Sequence, residues 1–208
     1  MITARHFGRL ALVLVAASLI GGCAFQATEP ALMYRLVVTP EAGMDRMRAA
    51  SPLELMPLRS NRPQGGSLGI MVAEVGAVVR VDEFSAGRWE ESPETVIERA
   101  LIAALNSRAA STAGEPDPSE ELLARPRLRV SLEQFEMVEP QSGGEPHAAV
   151  ALGFQLLSSR NRLVLKTGEI QERQTLPPNP SLEQVVLAFN RASSRAVSRF
   201  VAEVLALR

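Results

Sequence analysis

In 208 residues the chain has one cysteine, one tryptophan, one tyrosine, two histidines and a single lysine, Lys166. One cysteine, Cys23, excludes an intrachain disulfide and any thiolate metal cluster, so the fold must be held by its core. His6 and His147 leave little from which to build a general base or an imidazole metal site. No Gly-x-Ser-x-Gly elbow is read, no serine stands out as a positioned nucleophile, and a hydrolase is rejected. Gly65-Gly66-Ser67-Leu68-Gly69 precedes a strand-like run, whereas a phosphate loop follows a strand and opens a helix with Lys-Ser/Thr; it reads as a turn. The 23 acidic residues against 22 basic ones give a formal charge of −1, and the arginines are scattered, which argues against nucleic-acid binding. Asp82-Glu83, Glu90-Glu91 and Glu120-Glu121 are sequence neighbours that diverge, so they read as solvated surface. No enzyme, no cofactor and no metal are expected.

There is also no long apolar run. Leu10 to Ile20 spans eleven residues, roughly 16 Å as helix against the ~30 Å of a bilayer core. With Arg5 and Arg9 ahead of it and Gly21-Gly22 behind, it has the order of a secretory signal over residues 1–22. Leu19-Ile20-Gly21-Gly22-Cys23 resembles the lipobox of bacterial lipoproteins. That resemblance implies that Cys23 becomes the first mature residue and carries diacylglycerol and an amide-linked acyl chain. Several acyl chains anchor stably where one binds marginally. Ala24, in place of aspartate, implies export to the outer membrane. Cleavage leaves 186 of the 208 residues, 23 acidic against 20 basic, a formal −3. Such a length fits one domain, with 23–30 as lipidated tether and 31–208 as the folded part.

Met33–Val38 reads as a first strand, and 40–67 as an irregular connection with a helical turn at Glu41–Ala49 and an apolar knot at Leu53, Leu55 and Leu58. Leu68–Val81 should contain a central strand broken at Gly76. Ser92-Pro93-Glu94 announces a helix through N-cap, preset first position and dipole-complementing acid, with Ile97, Leu101, Ala104 and Leu105 on its buried stripe. Residues 109–126 are loop-like. Three strands follow as a meander, Arg127–Val138, His147–Ser158 and Arg162–Thr175. In the first of these a change of parity predicts a bulge near Glu133–Gln134. Ser181-Leu-Glu-Gln184 is a capping box that opens a helix to about Leu207, with Val185, Phe189, Ala192, Ala196, Phe200, Val204 and Leu207 at helical spacing. The expected fold class is α+β, a mostly antiparallel sheet of about five strands with two main helices packed on it.

His147 reads as an exposed loop histidine. Trp89, between Arg88 and Glu90, reads as a cap on the core where the first helix begins, with a partner-binding anchor as the other reading. Tyr34-Arg-Leu36, Arg88-Trp89-Glu90-Glu91-Ser92-Pro93, Leu128-Arg-Val-Ser-Leu-Glu-Gln-Phe135 and the alanine-rich Ser181–Ala202 segment, taken with Cys23, resemble the ABC-type transport auxiliary lipoprotein family. These are accessory lipoproteins of mammalian-cell-entry (MCE) lipid-transport systems. The resemblance implies a non-catalytic protein on the periplasmic face of the outer membrane. Its partners would be a periplasmic MCE-domain protein with a permease and an ATPase, and Tyr34, Trp89 and Phe135 are its candidate anchor residues. The alternative is a free-standing envelope lipoprotein that binds a hydrophobic ligand or a cell-wall component. The sequence leaves a homo-oligomer open.

Overall fold

The computed structural model describes residues 30–40, 53–62, 65–109, 126–159 and 161–206. Among them the strands are β1 (Leu32–Tyr34), β2 (Glu54–Leu55), β3 (Arg59–Ser60), β4 (Gly69–Val75), β5 (Val79–Trp89), β6 (Arg127–Pro140), β7 (His147–Leu157) and β8 (Val164–Thr175). The helices are α1 (Pro93–Ala109) and α2 (Leu182–Ala206). All eight strands lie in one sheet of order β1-β5-β4-β6-β7-β8, with β2 and β3 pairing the first half of β6.

The fold class is mixed α+β with two helices, but the sheet has eight strands rather than about five and is partly parallel. The pairs β4–β5, β6–β7 and β7–β8 are antiparallel, while β1–β5, β2–β6, β3–β6 and β4–β6 are parallel. Two physical reasons account for this. The two-residue strands β2 and β3 are too short to leave a period-2 pattern in the 40–67 connection. In β5, polar residues alternate with few apolar ones because most of the strand is exposed, so the pattern that marks a half-buried strand is missing.

The expected Leu68–Val81 strand is two strands, β4 and the start of β5, turning at Gly76–Val78. β1 ends at Tyr34, earlier than the expected Val38, because its backbone changes partners there. Val37 N donates to Asn190 Oδ1 (3.0 Å) and Thr39 N to Ser194 Oγ (3.0 Å), both on α2.

The three-strand meander forms, and its bulge falls between Leu132 and Gln134. Leu128, Val130 and Leu132 before it, and Phe135 and Met137 after it, are all buried, so the extra residue keeps both halves of β6 facing the helices. Ser92 caps α1 by accepting from Thr95 N (3.4 Å), with Ile97 and Leu101 fully buried. The capping box of α2 is reciprocal: Ser181 N donates to Gln184 Oε1 (2.8 Å) and Gln184 N to Ser181 Oγ (3.4 Å). Val185, Phe189, Ala192, Ala196, Phe200 and Val204 are buried at the spacing that puts them on one face. The expected helical turn at Glu41–Ala49, the Glu120-Glu121 pair, Leu207 and Cys23 lie outside the described residues.

Both helices cover the same sheet face. The other face is made by alternate residues, and there Met71, Ala73, Val138, Ala149 and Ala151 are buried without joining the helix-covered core cluster.

Candidate functional site

The three candidate anchor residues come together. In the β1–β5 register Tyr34 lies opposite Trp89, and Glu90 N donates to Tyr34 O (2.8 Å). Trp89 is fully buried, edge-on to Phe135 (5.8 Å between centroids) and to Phe189 of α2 (5.6 Å), which stack on each other at 4.5 Å. Trp89 therefore ties β5, β6 and α2 together. Its indole Nε1 has no hydrogen-bond partner, a loss of about 1–3 kcal/mol that the aromatic burial must outweigh.

Tyr34 is half-buried, with its ring close to Gly87, where an added Cβ would lie 2.9 Å from Tyr34 Cε2 and 2.5 Å from Leu182 Cδ2. Only glycine lets the ring and α2 close over β5 at that point. The Tyr34 hydroxyl donates to Glu183 Oε1 at 3.5 Å. Burial, then the Glu183 charge and this bond, push the phenol up. The Glu183 carboxyl is held down by its own backbone N–H and by Ser181, with Tyr34 adding to them against some desolvation.

Sequence reasoning missed an ion pair beneath this knot. Arg62, in the 40–67 connection, is buried and bonds Glu94, the first-turn acid of α1; their side chains are 6% and 12% exposed. The Arg62 guanidinium also donates to Phe135 O (3.4 Å) and lies 5.7 Å over the Phe135 ring. Gly66 N, in the turn where Gly66 has φ 78°, donates to Glu94 Oε1 (3.1 Å). Burial raises the Glu94 carboxyl, but the bonds from Arg62, its own backbone and Gly66 outweigh it, and the net shift is downward. Nothing local marks this pair, since its members are 32 residues apart. Only the acid, read as a dipole complement, was visible.

The outward half of the tryptophan motif faces a cleft. Arg35, Leu36, Glu90, Glu91, Val96 and Arg99 line about 520 Å³. Arg35 grips Glu90 in two bonds of 2.6 and 2.9 Å, and Arg99 pairs with Glu91. The bond from Arg35 holds the Glu90 carboxyl low despite some desolvation, and the same bond raises the Arg35 guanidinium. These pairs are exposed, so each contributes little to the fold.

A second hollow of about 490 Å³ lies on the sheet face away from the helices. Gly153 is at its floor, beneath the Glu133 carboxylate, which accepts from Asn61 Nδ2 (2.8 Å) and Ser131 Oγ (2.5 Å). Arg59 and Arg129 flank it; Arg129 donates to Gln155 Oε1 (3.1 Å) and keeps a buried, unpartnered Nε.

Gly65–Gly69 also spells Gly-x-Ser-x-Gly, a coincidence that the reading of the sequence passed over. An elbow serine ends a strand and opens a helix, whereas this segment leads into β4, and Ser67 Oγ accepts from Gly69 N (3.0 Å). His147 is not in the loop but is the first residue of β7, half-buried, with Nδ1 3.1 Å from Glu145 O. It pairs in register with Val138, which stands level with Ala73, six residues or about 20 Å along β4 from Ser67. Among the described residues no group of three or more His, Cys, Asp and Glu is placed to hold a metal, and no helix is long and apolar enough to cross a membrane.

No family model matches the chain, and no curated protein matches it. Solved structures do. The Xanthomonas campestris protein XCC0632, described under the family model DUF330, is similar over 84% of this chain and 95% of its own, with 16% identity and a TM-score of 0.65. A second, described as an uncharacterized protein, is similar over 85% of this chain and 99% of its own, with 13% identity and a TM-score of 0.56. The lipoprotein GNA1162 of Neisseria meningitidis aligns over 74% of this chain and 98% of its own at 13% identity, with a TM-score of 0.27, too low to argue from. At such identities the first two likenesses concern the fold, and this chain shares that fold.

Proposed function

We propose that the mature chain is a lipid-anchored envelope protein on the periplasmic face of the outer membrane, a non-catalytic accessory of an ABC/MCE-type intermembrane lipid transport system. The observation that carries this reading is the N-terminal order of Arg5 and Arg9, the eleven apolar residues, and Gly21-Gly22-Cys23. The resemblance in Tyr34–Leu36, Arg88–Pro93 and Leu128–Phe135 supports the transport role, and the charged cleft beside Trp89 is a surface on which a partner can dock. Substrate conduit and energy source then belong to the MCE-domain protein, the permease and the ATPase.

Growth with labelled palmitate tests the anchor. The wild-type chain takes up label in the membrane fraction, and Cys23→Ala takes up none; equal labelling of the variant overturns the reading. Absence of catalysis has its own test. Removing a general base lowers a rate by at least about 10², so His147→Ala leaves an envelope-integrity assay unchanged, and a loss of that size with an intact fold would make the protein an enzyme.

The hollow on the open sheet face favours a second reading, a free-standing envelope lipoprotein. Its lining, mostly polar with Arg59, Arg129, Glu133 and Glu169 beside Asn61, Gln155 and Phe154, suits a polar cell-wall component rather than the hydrophobic ligand also expected from sequence. Binding of soluble cell-wall fragments that Arg129→Ala abolishes would favour it over docking.

A further inference from the structure

The turn between β4 and β5 is apolar and exposed. Val75-Gly76-Ala77-Val78-Val79 carries no charge, and its three valines are 38%, 77% and 59% exposed. Just behind it Arg80 is bridged to Glu74 and Asp82, each at 2.9 Å. An uncharged tip backed by one arginine bridged to two carboxylates has the polarity order of a segment that enters the bilayer interface, apolar outermost and charge in water.

The path of the chain says what lies in front of this tip. β1 runs parallel to β5, with Leu32 opposite Gly87, so the chain arrives at Leu32 from the side on which the β4–β5 turn lies. Nine residues separate Cys23 from Leu32, a reach of at most about 32 Å. Nine residues also separate Gly87 from Val78, about 31 Å along the strand. The tether is therefore long enough for Cys23 to reach the level of the tip.

We propose that the β4–β5 turn is a second membrane contact, in which Val75, Val78 and Val79 enter the interface of the bilayer that holds the acylated Cys23. The proposal rests on the lipid-anchor reading. It gives the domain an orientation: the tip end, which includes Pro140 in register with Val75, faces lipid. The opposite end, where Arg127 stands opposite Leu157 and Leu157 opposite Val164, faces away.

Acylation of Cys23 leaves no other thiol, so one added cysteine can be labelled alone. Full-length acylated protein carrying Val78→Cys or Val164→Cys is labelled with an environment-sensitive fluorophore and reconstituted into vesicles of phosphatidylethanolamine and phosphatidylglycerol, with and without nitroxide-bearing lipid. Val164 is 51% exposed at the far end and serves as the control. The expected result is a rise of about twofold or more in emission at position 78 on reconstitution, quenched by nitroxide lipid, with neither change at position 164. Emission at 78 that matches 164 in vesicle-bound, acylated protein overturns the proposal and leaves the anchor standing. A rise at 78 that nitroxide lipid does not quench also overturns it, because protein, a second copy or a partner, then covers the tip. A mass spectrum without the acyl chains overturns both the anchor and the orientation built on it.

Discussion

On β7, Ala148, Val150, Leu152 and Phe154 turn toward the helices, while Ala149, Ala151, Gly153 and Gln155 turn away. The first set belongs to the core that α1 and α2 seal. The second is small or polar and leaves the hollow that Arg59, Arg129 and Glu133 surround. One strand thus carries two programmes at period 2. Large side chains on the covered face hold the fold, and small ones on the other leave room for polar groups. The same division runs through the tryptophan motif, where Trp89 goes inward to the aromatic knot and Glu90 and Glu91 go outward to their arginines. A motif that reads as one unit in sequence is split by the fold into a structural and a surface half.

The sharpest way to break this comparison is at Trp89. Trp89→Ala removes contacts with Phe135 and Phe189 and should lower stability by about 3–5 kcal/mol, read as a shift of the urea midpoint. An unchanged midpoint would place Trp89 outside the core and return it to partner binding.

The buried ion pair comes next. Glu94→Ala strands a buried guanidinium and should cost about 3 kcal/mol, whereas replacing Arg62 and Glu94 together by methionine and leucine should recover most of that loss. The pH dependence follows from the lowered Glu94 carboxyl. The pair's stabilisation is present above the unfolded carboxyl value of about 4.3 and is lost as pH falls through the lower folded value. Urea titrations at successive pH values should therefore show an acid-side loss that Glu94→Gln removes. If the loss stays the same in the variant, other carboxylates are responsible.

Two glycines sharpen the contrast between faces. A Cβ on Gly168 would meet the ring of Phe154, held in the core, while one on Gly153 would lie 2.7 Å from Glu133 Oε1 and 3.0 Å from Ser131 Oγ, side-chain ends that can swing away. Gly168→Ala should cost about 1–3 kcal/mol and Gly153→Ala under ~1 kcal/mol. The reverse order would show that the open face is the more rigidly packed one. Smallest of all, Arg35→Ala should leave the denaturation midpoint in place, because its pair with Glu90 is exposed.

These outcomes also mark what the sequence could disclose. The bulge in β6 was legible because apolar parity switches between Leu132 and Phe135, and both caps were legible, Ser92 from the Ser-Pro-Glu start and Ser181 from Gln184 three residues on. Those signals are local. β5 was not legible because Asp82, Glu83, Ser85 and Arg88 face solvent on a strand whose pairing is set by distant residues. The parallel pairing of β4 with β6 was hidden for the same reason, since the paired residues, such as Val72 and Met137, are 65 positions apart. Of the site, Tyr34, Trp89 and Phe135 were named through the family resemblance, yet that they meet is a property of the register and of α2. Arg62 left no signal at all, as one arginine among many in an irregular stretch.

If the fold tethered at Cys23 serves transport by docking, as proposed, its partners leave the envelope with it. The most direct measurement is mass spectrometry of what co-purifies with the tagged full-length protein from detergent-solubilised envelopes, with Cys23 acylation verified in the same sample. The expected result is an MCE-domain protein with its permease and ATPase, reduced in Arg35→Ala and unchanged in Gly153→Ala. Recovery of the acylated protein without any of the three would contradict it.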